Sequence, residues 1–550
     1  MVEMDVTYAS YRTASESEKS EAGEKMLEAI MEKVSDANEA DDLGREKQEP
    51  GFSKADTSFA FAALVIGFLY WNLIDLSAPG MGITIFATLL FAVSFMYLRY
   101  SGIRQNADSL ICLALAGLSA SVFTIFDNHF IRGLNFIFIS VMFLYWVCVS
   151  AGRRIKDGLS AYIIGDAIQQ GISAPFSNFG RCPSALARFM KGRKTMRALP
   201  AIIGILVFLP VIALVTSLLM SADMAFENFI NFLFGYINFR MVTDHIWQFI
   251  LGVPVAFYIY GSVYGNAKGR RADNITAGSV DKAAMIMKIA PKATIYSALV
   301  IFNGIYCAFF TVQAVYLFSA FYGNLPEAFT YAQYARRGFF ELCAVAGINL
   351  AVLAVSHLTL RKGHNEEPKA MRILTALISA FTMALIVTAQ SKMIMYISAY
   401  GLTQLRVYTS WFMALLFIVF IGVFVRQFVS FNLEKYIIIS FVCMFMILSY
   451  GNADGLIAGY NIRAYEAGAL SDFDIDMIAD LSDAAVPYIY DMYLRTDAND
   501  ARTRQRLADA IQSRAIYGMY GQESRKNFRA FNLQRYRADK IRASLVVGNR

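Results

Sequence analysis

Polar and ionisable side chains are scarce in the long apolar stretches of this sequence, and those present are not scattered evenly. The segment Tyr334–Leu342 reads YARRGFFEL, with Arg336 and Arg337 ahead of Glu341. Arg337 and Glu341 are four residues apart, on one face of a helix and close enough to pair. Gln390 and Lys392 come late in a following apolar run, and the next loop, YGLTQLRVYTSW, supplies Tyr400, Thr403, Arg406 and Tyr408. Just past the last run stand Asn452, Asp454 and Asn461. Charged groups at membrane depth are costly, so they face a bundle interior or a wet cavity and pair there. The chemistry this offers is recognition of a polar or charged solute or headgroup. The spacing predicts that Glu341, Lys392 and Arg406 line one outward-facing polar cavity. Arg336, Arg337, Gln390 and Thr403 belong to it, and the Asn452, Asp454 and Asn461 segment caps it. The competing reading is that each basic side chain snorkels separately to water within an aromatic belt.

Other constellations carry less. The four histidines, His129, His245, His357 and His364, lie on different loops and runs without ligand spacing, so no metal site is expected. Asp472, Asp474, Asp476 and Asp483 faintly match a calcium loop but lack its glycine and its final glutamate. Helix capping from Ser471 and the DFDID run suits them better. No catalytic constellation and no cofactor motif is visible. Asn303, Gln313, Asn349 and His357 read as interhelical hydrogen-bonding groups. The six cysteines have no paired spacing, which argues against a disulfide framework. Arg181–Arg197 mixes six basic residues with Leu186, Phe189 and Met190, a pattern for an interfacial helix on anionic membrane lipid. Nucleic-acid binding is not expected beside a membrane. Phe226, Phe229, Phe232, Phe234 and Tyr236 suggest a second, aromatic interfacial segment.

The elements that must position these residues follow from composition. The chain has 550 residues, 57% hydrophobic and only 17% charged, which excludes a soluble enzyme and a disordered scaffold. Apolar runs of about 20 residues cross a bilayer of about 30 Å. They fall near 58–76, 82–98, 109–126, 134–151, 201–220, 246–264, 294–318, 338–360, 373–397, 407–425 and 436–450. The expected fold is therefore all-α, a polytopic integral membrane protein of about eleven transmembrane helices with a small helical C-terminal domain. Pro210 and Pro254 kink two of the spans. Loops on one side carry 23 Lys and Arg, those on the other side six, alternating loop by loop. The positive-inside rule then puts the N-terminus in the cytoplasm and, after eleven spans, the C-terminus outside. Residues 1–56, with fifteen acidic against seven basic residues, read as a disordered cytoplasmic tail. Residues 57–451 read as the transmembrane bundle, and 452–550 as a helical extracytoplasmic domain with a basic end.

YARRGFFEL, the GLT-x-x-R element at Gly401–Arg406, Asn452-Ala453-Asp454 with Ile457, Ala458 and Asn461, and LSDAAVPYIYDM at Leu481–Met492 together resemble bacterial membrane proteins. These are known only as a domain of unknown function, the 4173 type with its 4153 relatives. The resemblance runs from the first span onward and is most specific over 334–492. It implies a bacterial plasma-membrane location and no agreed activity. A non-enzymatic protein with a regulatory or assembly role, joined to a protein partner, is the favoured expectation. A transporter or lipid-handling protein built on the polar cavity comes second. A membrane-embedded transferase comes last, because the first outer loop around Ser77–Gly80 is too short to carry its acidic residues.

Overall fold

The computed structural model describes residues 51–190, 215, 216, 218–234, 239–270, 275–321, 331–360, 369–470, 473–517 and 527–548. For helix residues 189, 190, 227, 231, 233, 234, 239–246, 313–321, 331–338, 513–517 and 546–548 it describes only the backbone. The acidic tail, as far as residue 50, lies outside these limits. Residues 55–550 form one compact unit.

Every named element among the described residues is helical. Four long helices come first: α1 (Lys54–Leu73), α2 (Met81–Tyr100), α3 (Ala107–Ile125) and α4 (His129–Ala151). Short α5 (Ile163–Ile168) passes through a π turn at Gln169–Ser173 into α6 (Ala174–Ser177), and α7 (Arg181–Met190) follows. Then come α8 (Met224–Phe234), the long α9 (Phe239–Lys268), α10 (Ala277–Met287), α11 (Lys292–Phe321), α12 (Tyr331–Thr359), α13 (Lys369–Tyr400), α14 (Gln404–Arg426) and α15 (Leu433–Tyr450). The chain closes with α16 (Ala453–Glu466), α17 (Ile475–Ala479), α18 (Val486–Arg495), α19 (Ala501–Tyr517), a 3-10 turn at Phe528–Ala530 and α20 (Leu533–Gly548).

Ten helices among the described residues are long and apolar enough to cross a membrane: α1 to α4, α9 and α11 to α15. They coincide with ten of the eleven expected spans. The eleventh, 201–220, lies largely outside the described residues. Several helices outrun their apolar runs because polar residues near the ends find partners. α1 starts at Lys54 because buried Asp56 accepts a hydrogen bond from the Tyr97 hydroxyl (2.8 Å) and pairs with Lys268 (3.3 Å). α4 starts at His129, capped by the Asn128 side chain on the Ile131 amide.

The helix ends sort into two groups. At the first end, Arg154 pairs with Asp108 (2.9 Å), Tyr162 donates to Asp281 (2.7 Å) and Asn432 donates to the Leu159 carbonyl (3.0 Å). At the second end, the loops 73–81, 125–129, 400–404 and 450–453 meet the C-terminal helices. α7 lies at the first end and Gln248 of α9 at the second, where it accepts from Asn72 (2.9 Å). The sequence places its fifth span between Met190 and Gln248, largely outside the described residues. The C-terminal segment contacts the end of α1 through Arg529 on the Asn72 carbonyl and the end of α3 through Asn532, so α16 to α20 sit at the end opposite the start of α1.

Helices α11 to α15 share one core, with Leu299, Phe339, Ile378, Ile386, Met413 and Phe420 fully buried. α16 to α20 have their own, around Ile457, Ile478, Ile489, Leu507 and Ile511. The two meet α3 and α4 through Val122, Ile131, Leu448 and Ala453.

Candidate functional site

The second end gathers buried charged and polar side chains from distant parts of the chain. Asp127, in the loop between α3 and α4, pairs with Arg132 (3.0 Å) and with Arg535 of α20 (2.9 Å). Asp483, in the turn before α18, pairs with Arg535 (3.7 Å) and with Arg542 (2.6 Å). Arg542 also pairs with Asp539 (2.8 Å). The result is an alternating chain of charges, Arg132, Asp127, Arg535, Asp483, Arg542 and Asp539, all but the last buried or nearly so. Burial alone would make the Arg542 guanidinium easier to deprotonate, but Asp483 and Asp539 outweigh it and raise its pKa above the ordinary arginine value. Around these pairs the C-terminal segment is fitted to the bundle. The Met81 amide donates to the Phe531 carbonyl, and Asn532 donates to the Phe123 and Phe126 carbonyls that end α3. A side chain at Gly80 would meet Ala530 and Phe531 backbone atoms within 2.6–2.8 Å.

Beside this chain lies a junction centred on Asp454, only 1% exposed. One carboxylate oxygen accepts from the Gln404 amide (2.7 Å); the other accepts from Asn128 Nδ2 (2.9 Å) and the Ser482 backbone N–H (3.1 Å). Asn128 Nδ2 also donates to the Tyr408 hydroxyl (2.7 Å), so that oxygen is held next to the carboxylate. No cationic side chain pairs with Asp454 among the described residues. Two residues before it, Asn452 has φ of 47°, the only left-handed non-glycine among the described residues. Such a backbone costs of order 1–3 kcal/mol unless its surroundings hold it, and it concentrates at functional places. Here Gln534 of α20 holds it by donating to Asn452 Oδ1 (2.8 Å).

The predicted cavity residues divide into three groups. Asn452 and Asp454 stand at the junction just described. Asn461 is one helix face away, bonded twice to Leu402 through the Leu402 amide (2.7 Å) and carbonyl (2.8 Å). Thr403 caps α14, and Arg406 donates to the Tyr400 and Gly401 carbonyls that end α13 while stacking 4.0 Å from the Tyr396 ring. Arg406 thus serves the α13–α14 turn. Lys392 stands on α13 and Glu341 on the neighbouring α12, and Gln390 donates to the Ser410 carbonyl (2.9 Å). Arg336 and Arg337 lie on α12, but their side chains are outside the described set, so the expected Arg337–Glu341 pair is too.

Other expectations resolve simply. Asn349 accepts from the Tyr306 hydroxyl and donates to Thr382 (2.8 Å), and Asn303 donates to the Leu374 carbonyl (3.3 Å), the interhelical role expected of both. Of the capping residues expected in Ser471 and the DFDID run, Asp474 caps α17, its carboxylate accepting from the Met477 amide (2.9 Å), and Ser471 lies outside the described residues. Asp127, Arg132, Gln404, Ser482, Asp483, Arg535 and Arg542 were not among the expected site residues. One signal was present: Arg535, Asp539 and Arg542 are spaced four and three apart, an alternating stripe along one helix face.

The helices and their apolar surfaces define an all-α polytopic membrane protein. Within that class the chain belongs to the family of the domain of unknown function DUF4153, whose model matches residues 110–492. The 4173 name suggested by the motifs thus gives way to its 4153 relative, and the match starts inside α3 rather than at the first span. Asp127, Arg132, Asp454 and Asp483 fall inside the matched region; Arg535 and Arg542 fall beyond it. No curated protein and no solved structure matches the chain.

Proposed function

We propose that this is a non-enzymatic integral membrane protein of a bacterial plasma membrane, with a regulatory or assembly role exercised through its C-terminal helices. The observation that carries the reading is the fitted arm. Arg535 and Arg542 lie outside the family region yet pair with Asp127 and Asp483 inside it. A helical cap fixed this firmly suits the presentation of a partner-binding surface. The loop asymmetry in Lys and Arg supports a cytoplasmic N-terminus, with the cap outside. Solubilisation of native membranes in mild detergent should bring a stoichiometric protein partner through purification with the full chain. Its consistent absence would count against assembly.

The orientation has its own test. Cysteines introduced singly at Asp157, in a first-end loop, and at Asn499, among the C-terminal helices, are both at exposed positions. An impermeant maleimide applied to spheroplasts should label the Asn499 variant, and the Asp157 variant only after permeabilisation. The reverse pattern would invert the topology. The anionic-lipid contact proposed for Arg181–Arg197 is supported within α7, where Cys182 and Ala185 are buried and Arg188 is exposed. Residues 191–197 lie outside the described set.

Glu341 and Lys392 favour a second reading, solute or lipid handling through an outward-facing cavity. They are opposite charges on neighbouring spans, and ionisable groups at membrane depth tend to pair or to face a wet cavity. A substrate-dependent melting shift that vanishes in Lys392→Met would move the balance to this reading.

A further inference from the structure

We propose that the Asp454 junction binds a single alkali cation of the sodium kind, between the Asp454 carboxylate and the hydroxyls of Ser482 and Tyr408. This goes beyond the proposed function and stands whether or not a partner is found.

The argument starts from charge. In the ion chain, Arg132, Arg535 and Arg542 face Asp127, Asp483 and Asp539, and these charges cancel. Beside it, Asp454 is a buried carboxylate with no cationic side chain paired to it among the described residues. All three groups touching it, Asn128 Nδ2, Gln404 Nε2 and the Ser482 amide, are donors, so none can accept the proton of a neutral acid. Such a ring of donors suits carboxylate oxygens that accept. Neutral donors lower the cost of that charge but leave it uncompensated, and a buried carboxylate without a counter-charge is expensive.

A second observation points to what compensates it. The Ser482 hydroxyl is buried on a residue 4% exposed and has no hydrogen-bond partner among the described residues. It belongs to the same residue whose amide touches Asp454 at 3.1 Å. A buried hydroxyl left unmade costs about 1–3 kcal/mol, so its retention beside an unneutralised carboxylate asks for a ligand that oxygen atoms coordinate. Tyr408 brings a third oxygen, since Asn128 Nδ2 holds both it (2.7 Å) and the carboxylate (2.9 Å). An all-oxygen set of this kind suits a hard cation. Calcium gathers six to eight oxygens, usually from several carboxylates, whereas this junction offers one carboxylate. A lysine or other ammonium would have to bring its aliphatic stem into a site whose carboxylate is 1% exposed. A small monovalent ion meets both limits.

Equilibrium binding of radioactive sodium to the detergent-purified full chain, with choline holding ionic strength, tests this directly. Wild type should bind one ion per chain saturably, and sodium should raise the melting temperature above its value in choline. Asp454→Asn should weaken binding more than tenfold and remove the melting shift. Where that variant fails to fold, Ser482→Ala decides, because it deletes a ligand oxygen that has no other partner among the described residues; it should weaken binding about tenfold with the fold intact. Absence of saturable binding in wild type, or unchanged affinity in Ser482→Ala, would overturn the proposal. So would melting that responds to acid but ignores sodium, since a proton would then be cancelling the charge.

Discussion

Asp483→Asn should cost the protein about 3–5 kcal/mol of stability, the usual penalty for removing one member of a buried ion pair. Asp483 is the acid that joins Arg535 and Arg542 of α20, at 2.6 Å from Arg542 and 3.7 Å from Arg535. Its loss leaves Arg542 to the half-exposed Asp539 and to the Ile511 carbonyl. Arg535 keeps Asp127, which it already shares with Arg132. The cost is therefore that of a stranded guanidinium rather than one lost contact. That distinction is measurable. The double variant Asp483→Asn, Arg542→Gln removes both charges together and should cost less than the two single variants added, by about 0.5–3 kcal/mol. Denaturant unfolding of the full chain in detergent reads both quantities. A cost below about 1 kcal/mol for Asp483→Asn would mean that the arm is a surface attachment.

The contrast between what the sequence reveals and what it hides follows from distance along the chain. Spans are local: a run such as Phe136–Val149 announces itself within its own window. Span ends are less legible, because Asp56 and Arg132 look like stop signals until Lys268, Tyr97 and Asp127 are known to meet them. The ion chain is legible least of all. Asp127 and Arg535 are 408 residues apart, and no periodicity links them. Read alone, α20 looks like a basic tail, when in fact Arg535 and Arg542 pair with buried acids far away in the chain. The Asp454 junction was found in part. Asn452 and Asp454 stand out as polar residues at the exit of a span, but Gln404 and Ser482 are ordinary in their own segments. Arg406 is read from its place at a span end as a cavity charge, and what the sequence does not reveal is that its guanidinium donates to the Tyr400 and Gly401 carbonyls at the α13 C-terminus.

Gly252→Leu should destabilise the bundle by at least the upper part of the about 1–3 kcal/mol range of overpacking, and Gly67→Leu should do the same. The two glycines face each other where α1 crosses α9. A Cβ on Gly67 would run into the Gly252 carbonyl and come within 2.9 Å of Ala256 Cβ; one on Gly252 would meet the Gly67 carbonyl and the Phe68 amide nitrogen. The obstacles are backbone atoms, which cannot step aside as a flexible side chain can, so the helices themselves must separate. Membrane helices gain their association from such close packing, with no hydrophobic drive to replace it. Separation would also pull on the contacts to either side of the crossing. Asn72 donates to Gln248 at 2.9 Å, and further along Phe59 stacks on Tyr260 at 5.5 Å while Lys268 reaches Asp56. Gly117→Leu supplies the control: it makes the same change in α3, where nothing lies within 4 Å of the added carbon, and should be close to neutral. Melting of the three purified variants in one detergent compares them directly. Equal melting of Gly252→Leu and Gly117→Leu would show that the crossing opens at no cost, and that α9 is held to α1 by its polar ends alone.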